Sequence, residues 1–275
     1  MSIGSIENHR AREAGLLIYP VYSRRSQGLS LGINLFPDHK HCTFGCPYCE
    51  IFPFKTNIRF SLKRMETQLQ EELERLGVQE IPVKDICFSG NGEPTMHPDF
   101  PEALEKAFRI RDKSAQNAKL VVITNGTGLL EARMFETLGR AADRGLTIWL
   151  KLDAGTQEWY QKINQSSTPY PVLRDKIREF IRRARVTIQT MRCTVRGNPP
   201  PPEELEAWEK LVTELAETEN PKAGIEEVQI YSKARPAPED PLTEALPPAY
   251  LEAQAQSLSK ALKQAGLHLL VKSFP

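Results

Sequence analysis

Residues 41–49 constrain this chain more than any other stretch, because they hold three of its five cysteines. Cys42, Cys46 and Cys49 follow the spacing C-x3-C-x2-C, and a loop this short can turn three thiolates toward a common centre. A [4Fe–4S] cluster is normally held by four cysteines. Three cysteines with no fourth nearby leave one iron without a protein ligand, and a small molecule can bind and be reduced at such an iron.

Two other interpretations of the cysteines stay open. They could form a structural zinc site together with His39 or His41, although such sites usually add a second, distant C-x2–4-C-type pair, which this sequence lacks. Their grouping could also be incidental. A disulfide is disfavoured by the odd cysteine count and the lack of a secretory signal. The spacing favours the cluster.

The same spacing, with Tyr48 just before the third cysteine, resembles the radical SAM superfamily. In that family the open iron chelates the amino and carboxylate groups of S-adenosylmethionine. One electron from the cluster then cleaves the sulfonium to methionine and a 5′-deoxyadenosyl radical, which abstracts hydrogen from a substrate. The resemblance implies Cys42, Cys46 and Cys49 as cluster ligands and Tyr48 near the adenine. It also implies a [4Fe–4S] cluster and S-adenosylmethionine as cofactors, with flavodoxin or ferredoxin as the external electron donor.

Composition adds few limits. The chain has 275 residues, 40% hydrophobic and 26% charged, which is ordinary for a globular protein, and its formal net charge of +1 indicates no particular partner. Because no run of 18 apolar residues occurs, we expect no membrane-spanning helix. The polar residues 1–12 lack an apolar signal core, so we expect a cytoplasmic protein.

Hydrophobic periodicity predicts strands and helices in alternation. Predicted strands cover residues 29–35, 85–89, 120–124, 146–152, 186–194 and 227–231, and predicted helices lie near 62–76, 99–110, 129–142, 156–163, 170–184, 205–215 and 248–265. This order predicts right-handed βαβ units and a parallel sheet. We therefore divide the chain into an extended lead-in at 1–28, a barrel at 29–240, and a C-terminal helix and short strand at 241–275.

Several predicted strands have one apolar and one polar side. On the fourth, residues 148, 150 and 152 are apolar, whereas residues 149, 151 and 153 are Trp, Lys and Asp. A parallel sheet covered by helices on both faces should be apolar on both. The pattern predicts an α/β fold, a partial (β/α)6 radical SAM barrel with N- and C-terminal extensions, whose polar lumen is the site. The alternative is that these polar residues only mark strand ends.

The second predicted strand is followed by Gly90-Asn91-Gly92-Glu93-Pro94. Glycines allow close approach of the backbone to a ligand, and a carboxylate can receive an ammonium group. The stretch is similar to the superfamily's Gly-Gly-Glu element, which holds the amino group of S-adenosylmethionine, with Asn91 in place of the first of the paired glycines. The resemblance implies that these five residues bind the cofactor.

Other candidate residues also follow predicted strands, where barrel enzymes place their chemistry. Asn125 resembles the family's residue near the ribose, and Arg235 could meet the cofactor carboxylate or remain solvated. Lys151 and Asp153 should both point inward, either to neutralise one another or to contact cofactor or substrate. Cys193 is a candidate radical participant, although an isolated strand cysteine is more often a small buried apolar residue.

Three stretches resemble the branch of the superfamily related to wybutosine (tRNA tricyclic guanosine) synthesis. They are Ser-Leu-Gly-Ile-Asn before the cysteines, Gly-Asn-Gly-Glu-Pro-Thr, and Val-Gln-Ile-Tyr with a later Arg-Pro, and the likeness covers about residues 29–240. Those tRNA enzymes carry a second cluster on N-terminal cysteines, but here no cysteine precedes Cys42. The likeness therefore implies the scaffold and the cofactor chemistry more than the substrate.

Substrate class stays open, with RNA base modification somewhat favoured over modification or activation of a peptide or protein and over small-metabolite chemistry. A basic patch on the predicted helix at 174–185 and a second at residues 109–113 can follow phosphates, or can simply be solvated. From other classes, a zinc-bearing RNA-binding module without catalysis remains an alternative. An electron carrier is a second alternative, but it would need four cysteines per cluster, so the sequence argues against it. The oligomeric state stays undetermined.

Overall fold

In the computed structural model, residue 3, residues 16–218 and residues 220–275 are described. Most of the predicted lead-in, residues 1, 2 and 4–15, lies outside them. The strands are β1 (Ile18–Ser23), β2 (Gly28–Ile33), β3 (Val83–Phe88), β4 (Lys119–Thr124), β5 (Leu146–Lys151), β6 (Arg185–Met191), β7 (Gly224–Tyr231) and β8 (Leu270–Phe274). The helices are α1 (Leu62–Val78), α2 (Phe100–Ser114), α3 (Ala132–Asp143), α4 (Gln157–Ile163), α5 (Tyr170–Arg183), α6 (Pro202–Ala216) and α7 (Pro248–Gln264), with short 3-10 turns at Pro94–Met96 and Thr127–Leu130.

The strands follow one another in the sheet in chain order, from β1 to β8. β1 pairs antiparallel with β2, and the pairs β2–β3, β3–β4, β5–β6, β6–β7 and β7–β8 are parallel. Parallel neighbours need a crossover connection, which explains why helices alternate with the strands. The predicted alternation of strands and helices is thus confirmed. Within the described ranges, no helix is long and apolar enough to cross a membrane.

One end of the sheet differs from the sequence prediction, and the other agrees with it. Residues 18–23 were expected only as an extended lead-in, yet they form β1, with Ile18 opposite Ile33. Pro20 is compatible with this strand because β1 lies at the edge of the sheet, where a missing N–H leaves no ladder bond unmade. At the other edge, the predicted short terminal strand is present as β8 and is parallel to β7.

The described chain contains two compact units, and the first comprises residues 1–42, 51–124 and 144–147. Its helix α1 buries Met65, Leu69, Leu73 and Leu76, which recur at the helical spacing seen in the sequence. The Ser61 side chain caps this helix by accepting a hydrogen bond from the backbone N–H of Arg64. These contacts fix the element that follows the cysteine-bearing stretch.

The second unit comprises residues 43–50, 125–143 and 148–275. Helix α6 is tied to the segment after β5, because the Glu204 carboxylate accepts the backbone N–H groups of Gly155 at 2.6 Å and Thr156 at 2.9 Å. Gly155 must be glycine, since a Cβ there would lie 2.2 Å from the backbone nitrogen of Trp208. This packing holds the end of β5, which carries Lys151 and leads to Asp153.

Polar side chains line the interior of this unit, as the strand pattern predicts. Thr187, Gln189 and Gln229 are all buried, and Gln189 Nε2 donates to Gln229 Oε1 at 2.7 Å. Buried amides need such partners because an unmade hydrogen bond is costly. The polar face is therefore an internal hydrogen-bonded surface and does more than mark strand ends.

Candidate functional site

The cysteine loop of the second unit, residues 43–50, is fixed to the end of α4. The backbone N–H of Gly45 donates to the carbonyl of Asn164 at 2.9 Å. Phe44 is buried, and its ring meets the ring of Tyr160 edge-on with centroids 5.8 Å apart. The N–H of Cys49 donates to the carbonyl of Cys46 at 3.0 Å, which closes a tight turn between these two cysteines.

Cys46 lies in a polar but desolvated environment. Asn164 Nδ2 donates both to Cys46 Sγ at 3.6 Å and to Asp153 Oδ2 at 2.9 Å. Burial, reinforced by the negative charge of Asp153, raises the pKa of the Cys46 thiol to about 12. A thiol of this kind becomes a thiolate ligand when a metal replaces its proton.

Asp153 is the centre of the polar cluster beside Cys46. Its carboxylate accepts from the Tyr48 hydroxyl at 2.5 Å and the Met191 backbone N–H at 2.8 Å, and it lies 3.2 Å from Lys151 Nζ. The Lys151 ammonium stands over the rings of Tyr48 and Tyr231, 4.9 Å and 4.8 Å from their centroids. Burial opposes the charge of Lys151, but Asp153 and Tyr231 outweigh it and raise the pKa of this ammonium above its usual range.

The structure thus brings together three residues that the sequence singled out, Tyr48, Lys151 and Asp153. It adds Asn164 and Tyr231, whose roles the sequence analysis missed. Tyr231 could have been found, because it ends a predicted strand on the polar side. Asn164 gives no local signal, since it lies 118 residues from Cys46 along the chain.

In the first unit, Gly92 pairs with the residue that precedes Cys42. The N–H of His41 donates to the carbonyl of Asn91 at 3.1 Å, and the N–H of Glu93 donates to the carbonyl of His41 at 2.8 Å. A Cβ on Gly92 would lie 2.0 Å from the His41 carbonyl oxygen. Only glycine therefore permits this pairing, which fixes the backbone immediately before Cys42.

Asn91 is anchored on the segment that follows β2. Its backbone N–H donates to Asn34 Oδ1 at 3.2 Å, and its Nδ2 donates to the carbonyl of Phe36 at 3.0 Å. Gly90 adopts a φ of 116°, a conformation that other residues rarely take. Asn91 Oδ1 is buried and has no hydrogen-bond partner among the described residues. A bound group carrying an N–H or O–H would satisfy this oxygen.

The Glu93 carboxylate is buried and hydrogen-bonded. Its Oε1 accepts from the hydroxyls of Thr95 at 2.6 Å and Thr124 at 2.7 Å. Glu93 also caps the short turn that begins at Pro94. These bonds hold the carboxylate in one orientation, as a group that receives a cationic ligand requires.

Asn125 contacts the cysteine loop. Its Nδ2 donates to the Thr43 hydroxyl at 2.9 Å, and its Oδ1 accepts the N–H of Thr127 at 2.9 Å. Arg235 is engaged elsewhere in the second unit, where its Nε lies 2.5 Å from Glu50 Oε2. It is therefore an ion-paired residue and not a solvated loop charge.

Cys193 makes no hydrogen bond to Asp153 or Lys151 among the described residues, although their charges act on its thiol. It is 1% exposed, forms an isolated bridge with Ala245, and burial raises the pKa of its thiol to about 12. Both properties are typical of a small buried residue. Cys87 is likewise buried, on β3.

The two histidines of the zinc alternative pack with aromatic and acidic neighbours. His39 Nδ1 lies 3.0 Å from Asp38 Oδ1, and the His41 ring lies 5.0 Å from the ring of Phe36. Among the described residues, no three His, Cys, Asp or Glu side chains are gathered as a metal ion would require. Neither the zinc alternative nor a cluster is therefore preformed by the side chains of the described residues.

Comparison with known proteins places this arrangement in a family. The sequence profile of the radical SAM superfamily matches residues 37–215. A UPF0026 protein of Helicobacter pylori is 30% identical over 122 residues, which are 43% of this chain and 37% of that protein. A protein of Brachyspira hyodysenteriae named GTPase Obg is 31% identical over 148 residues, 53% of this chain and 20% of its own length. The matches thus span well under half of these relatives.

Solved structures agree on the fold. The crystal structure of Streptococcus suis SuiB bound to S-adenosylmethionine superposes with a TM-score of 0.67 at 14% identity, covering 92% of this chain and 52% of that one. The predicted α/β class, a partial radical SAM barrel, is confirmed by this likeness and by the strand order. The chain belongs to the radical SAM superfamily of enzymes, which use a [4Fe–4S] cluster and S-adenosylmethionine.

The residues present fit such a cluster. Three thiols lie within eight residues, all five cysteines are free of disulfides, and an N–H donor already contacts the sulfur of Cys46. Thiolates are the usual ligands of iron–sulfur clusters. The donor set therefore has the chemistry that the superfamily's cluster needs.

Proposed function

We propose that Cys42, Cys46 and Cys49 hold a [4Fe–4S] cluster on which this enzyme cleaves S-adenosylmethionine reductively. The observation that carries the proposal is the C-x3-C-x2-C loop within the matched superfamily region. When bound, the cluster supplies one electron, and cleavage yields methionine and a 5′-deoxyadenosyl radical. The protein's part is to hold the sulfonium in position and to exclude stray hydrogen donors.

In this proposal the stretch from Gly90 to Pro94 receives the methionine end of the cofactor. Glu93 carries the charge that an ammonium group needs, and its orientation is fixed by the hydroxyls of Thr95 and Thr124. The unpartnered Asn91 Oδ1 offers a further acceptor.

Tyr48 lies near the adenine and Asn125 near the ribose in the same proposal. Asp153 accepts a hydrogen bond from the Tyr48 hydroxyl, and the Lys151 ammonium stands over the Tyr48 ring, so both residues position Tyr48. Both can also contact the cofactor or the substrate. Arg235 would reach a carboxylate only by exchanging its partner Glu50. The role of Cys193 as a radical participant stays a prediction that no contact supports.

An external one-electron donor is part of the proposal, with flavodoxin or ferredoxin as the expected class. Besides Cys42, Cys46 and Cys49, the described chain holds only Cys87 and Cys193, and both are buried on or beside strands. A second cluster on these two residues would need further ligands. A cytoplasmic location likewise remains an expectation.

For the substrate we propose RNA, supported by the basic segment, residues 51–64. Its cations Lys55, Arg59, Lys63 and Arg64 are exposed, and none forms an ion pair within the part of the chain that the structure describes. No acidic residue occupies the first turn of α1, where anionic side chains are normally favoured. The segment therefore presents uncompensated positive charge, which suits phosphates.

A cavity and aromatic rings accompany this charge. A cavity of about 600 Å³ is lined by Asp38, His39, Phe54, Lys55, Thr56, Asn57 and Arg59. Phe52 is 42% exposed, and its ring lies 6.3 Å from that of Phe54. Exposed rings beside basic residues are typical of surfaces that stack unpaired bases.

The basic helix singled out in the sequence is less suited to this role. On α5, Arg178 lies 3.0 Å from Asp175, Lys176 lies 2.6 Å from Glu179, and Arg183 lies 2.6 Å from Asp143. Most of its positive charge is thus compensated. The substrate proposal rests on the basic segment instead.

The proposed reaction is tested by the release of 5′-deoxyadenosine from anaerobically reconstituted protein. Cys46→Ala should abolish both the visible absorbance of the cluster and all release, because the remaining two cysteines cannot replace its ligand. Cys87→Ala removes a buried cysteine of β3 and serves as the matched control, with cluster and release retained. Release by a Cys46→Ala protein would refute the site.

The substrate class is tested by adding cell extract before and after ribonuclease treatment. We expect stimulation of release by intact extract and its loss after ribonuclease. Stimulation that survives ribonuclease would contradict an RNA substrate and would indicate a protein, a peptide or a metabolite.

A further inference from the structure

We infer that Asn164 is a positioning residue for the cluster. Its side-chain amide donates a hydrogen bond to the sulfur of Cys46 and thereby raises the cluster's reduction potential. The inference rests on the proposed function, because it takes Cys46 as a cluster ligand. Asn164 Nδ2 lies 3.6 Å from Cys46 Sγ, within hydrogen-bonding range for sulfur, and the residue is 2% exposed. Water therefore does not compete for this donor.

The orientation of the Asn164 amide follows from its neighbours. The amide nitrogen carries two N–H groups, and it faces the sulfur of Cys46 and Asp153 Oδ2, which lies 2.9 Å away. Both neighbours accept hydrogen bonds, whereas the amide oxygen would be repelled by the carboxylate. The Asp153 carboxylate is itself fixed by the Tyr48 hydroxyl and the Met191 N–H. One N–H group is thus left directed at the sulfur.

The backbone keeps this donor beside the loop. The N–H of Asn164 donates to the carbonyl of Tyr160 at 2.9 Å, which continues the hydrogen bonding of α4, and the carbonyl of Asn164 accepts the N–H of Gly45 at 2.9 Å. Asn164 therefore holds Gly45, the residue before Cys46, through its backbone carbonyl, and it contacts the sulfur of Cys46 through its side-chain amide. The backbone thus fixes this donor beside Cys46.

A hydrogen bond to a ligand sulfur changes the energy of reduction. Reduction adds one electron, taken from the external donor, and increases the negative charge on the cluster and its thiolates. An N–H that points at a thiolate stabilises this charge, and hydrogen bonds to the sulfurs are among the factors that set iron–sulfur potentials. Loss of the Asn164 donor should therefore make the cluster harder to reduce.

The test is a redox titration of the reconstituted cluster, followed by electron paramagnetic resonance of the reduced state. Asn164→Leu keeps the approximate volume without an N–H group, and Asn164→Asp keeps the shape but replaces the donor by an acceptor. At the wild-type midpoint, the ratio of reduced to oxidised cluster should fall about fivefold in Asn164→Leu, a shift of about 40 mV since tenfold is 59 mV for one electron. The shift in Asn164→Asp should have the same sign.

Gln165→Asn is the matched control. Gln165 is the next residue, its side chain donates to the carbonyl of Lys162, and its φ of 46° is one that asparagine tolerates. Its midpoint should equal that of the wild type. Iron content, measured on every variant, separates a changed potential from a lost cluster.

Unchanged midpoints in both Asn164 variants, with a full cluster, would overturn the inference. Folded variants that bind no cluster would overturn it as well, because Asn164 would then be required for assembly and not for tuning. A wild-type protein that forms no [4Fe–4S] cluster, or cleaves no S-adenosylmethionine, would refute the proposed function instead. The two failures are thus distinguishable.

Discussion

At the scale of single residues, the stretch Gly90 to Pro94 has a structural task beside its proposed role in cofactor binding. Gly92 is required by the close approach of the His41 carbonyl, and Asn91 is bonded to the backbone of Phe36. The buried Glu93 carboxylate and Asn91 Oδ1, which has no hydrogen-bond partner among the described residues, are the groups suited to a ligand. One short motif therefore both fixes the approach to Cys42 and presents polar atoms.

Gly92→Ala should destabilise the protein. Its Cβ would lie 2.0 Å from a backbone oxygen, which cannot rotate away, so we expect a loss of roughly 1–3 kcal/mol or more in the free energy of unfolding. Urea titration measures this change, and iron content should fall because the pairing beside Cys42 is disturbed.

Gly77→Ala is the control for that substitution. Gly77 lies in α1 with no atom within 4 Å of a Cβ, so alanine should increase stability by up to about 1 kcal/mol. Equal stability of Gly92→Ala and the wild type would show that the pairing of residues 41 and 92 is not maintained in solution.

At the scale of elements, two basic stretches differ in how their charge is compensated. Helix α5 alternates cations with carboxylates at helical spacing, so its ion pairs form locally and with neighbouring helices. In the basic segment, Lys55, Arg59, Lys63 and Arg64 form no ion pair within the described residues, although Asp38 lines the same cavity. Ion pairing thus distinguishes the two stretches as candidate surfaces for a polyanion.

Neutralising the basic segment should weaken RNA binding and its dependence on salt. The variant combines Lys55→Gln, Arg59→Gln and Lys63→Gln. Each lost phosphate contact lowers the slope of log affinity against log salt by about 0.7–0.9, so we expect a total decrease of about 2–3. Fluorescence anisotropy with labelled transfer RNA at several salt concentrations measures both quantities.

An equal change of charge on α5 serves as the comparison. That variant combines Arg174→Gln, Lys176→Gln and Arg178→Gln. Because these cations are already ion-paired, the salt slope should change much less. If both triple variants had the same effect, net charge alone would govern binding, and the basic segment would lose its assigned role.

At the scale of the whole molecule, the superfamily match covers residues 37–215, and it includes the cysteine loop, the Gly90 to Pro94 stretch and Asp153. β7, α7 and β8 lie beyond it and continue the parallel order of the sheet. Binding of a cofactor to the folded state alone should stabilise the fold, since the unfolded chain cannot assemble the site.

S-adenosylmethionine should therefore stabilise the cluster-loaded protein. At a cofactor concentration of 100 times Kd, the free energy of unfolding should rise by about 2.7 kcal/mol, and the cluster-free protein should gain much less. Anaerobic thermal denaturation with and without the cofactor measures the difference.

Glu93→Gln tests the same linkage at one residue. Loss of the charge should leave the cluster intact and weaken cofactor affinity about tenfold, which removes about 1.4 kcal/mol of the stabilisation at a fixed cofactor concentration. Glu71→Gln, at an exposed position on α1, is the control. An unchanged affinity in Glu93→Gln would refute its proposed role.

The sequence by itself determined those features that depend on neighbouring residues. Hydrophobic periods set the succession of strands and helices, the polar side of the strands marked an internal polar surface, and the spacing of Cys42, Cys46 and Cys49 indicated the cluster. Each of these signals spans only a few residues, so a single sequence displays it. The pairing of Lys151 with Asp153 belongs here too, because residues two apart on a strand share a face.

Only the tertiary structure decided which distant groups meet. It paired residues 18–23 with β2. It also brought Arg235 to Glu50, 185 residues away in the chain, and the Asn164 amide to the sulfur of Cys46, 118 residues away. No local pattern encodes these contacts, because they depend on strand register and on where each helix ends. The three cysteines are thus a prediction that the sequence alone makes, whereas the donors and charges around them follow from the fold.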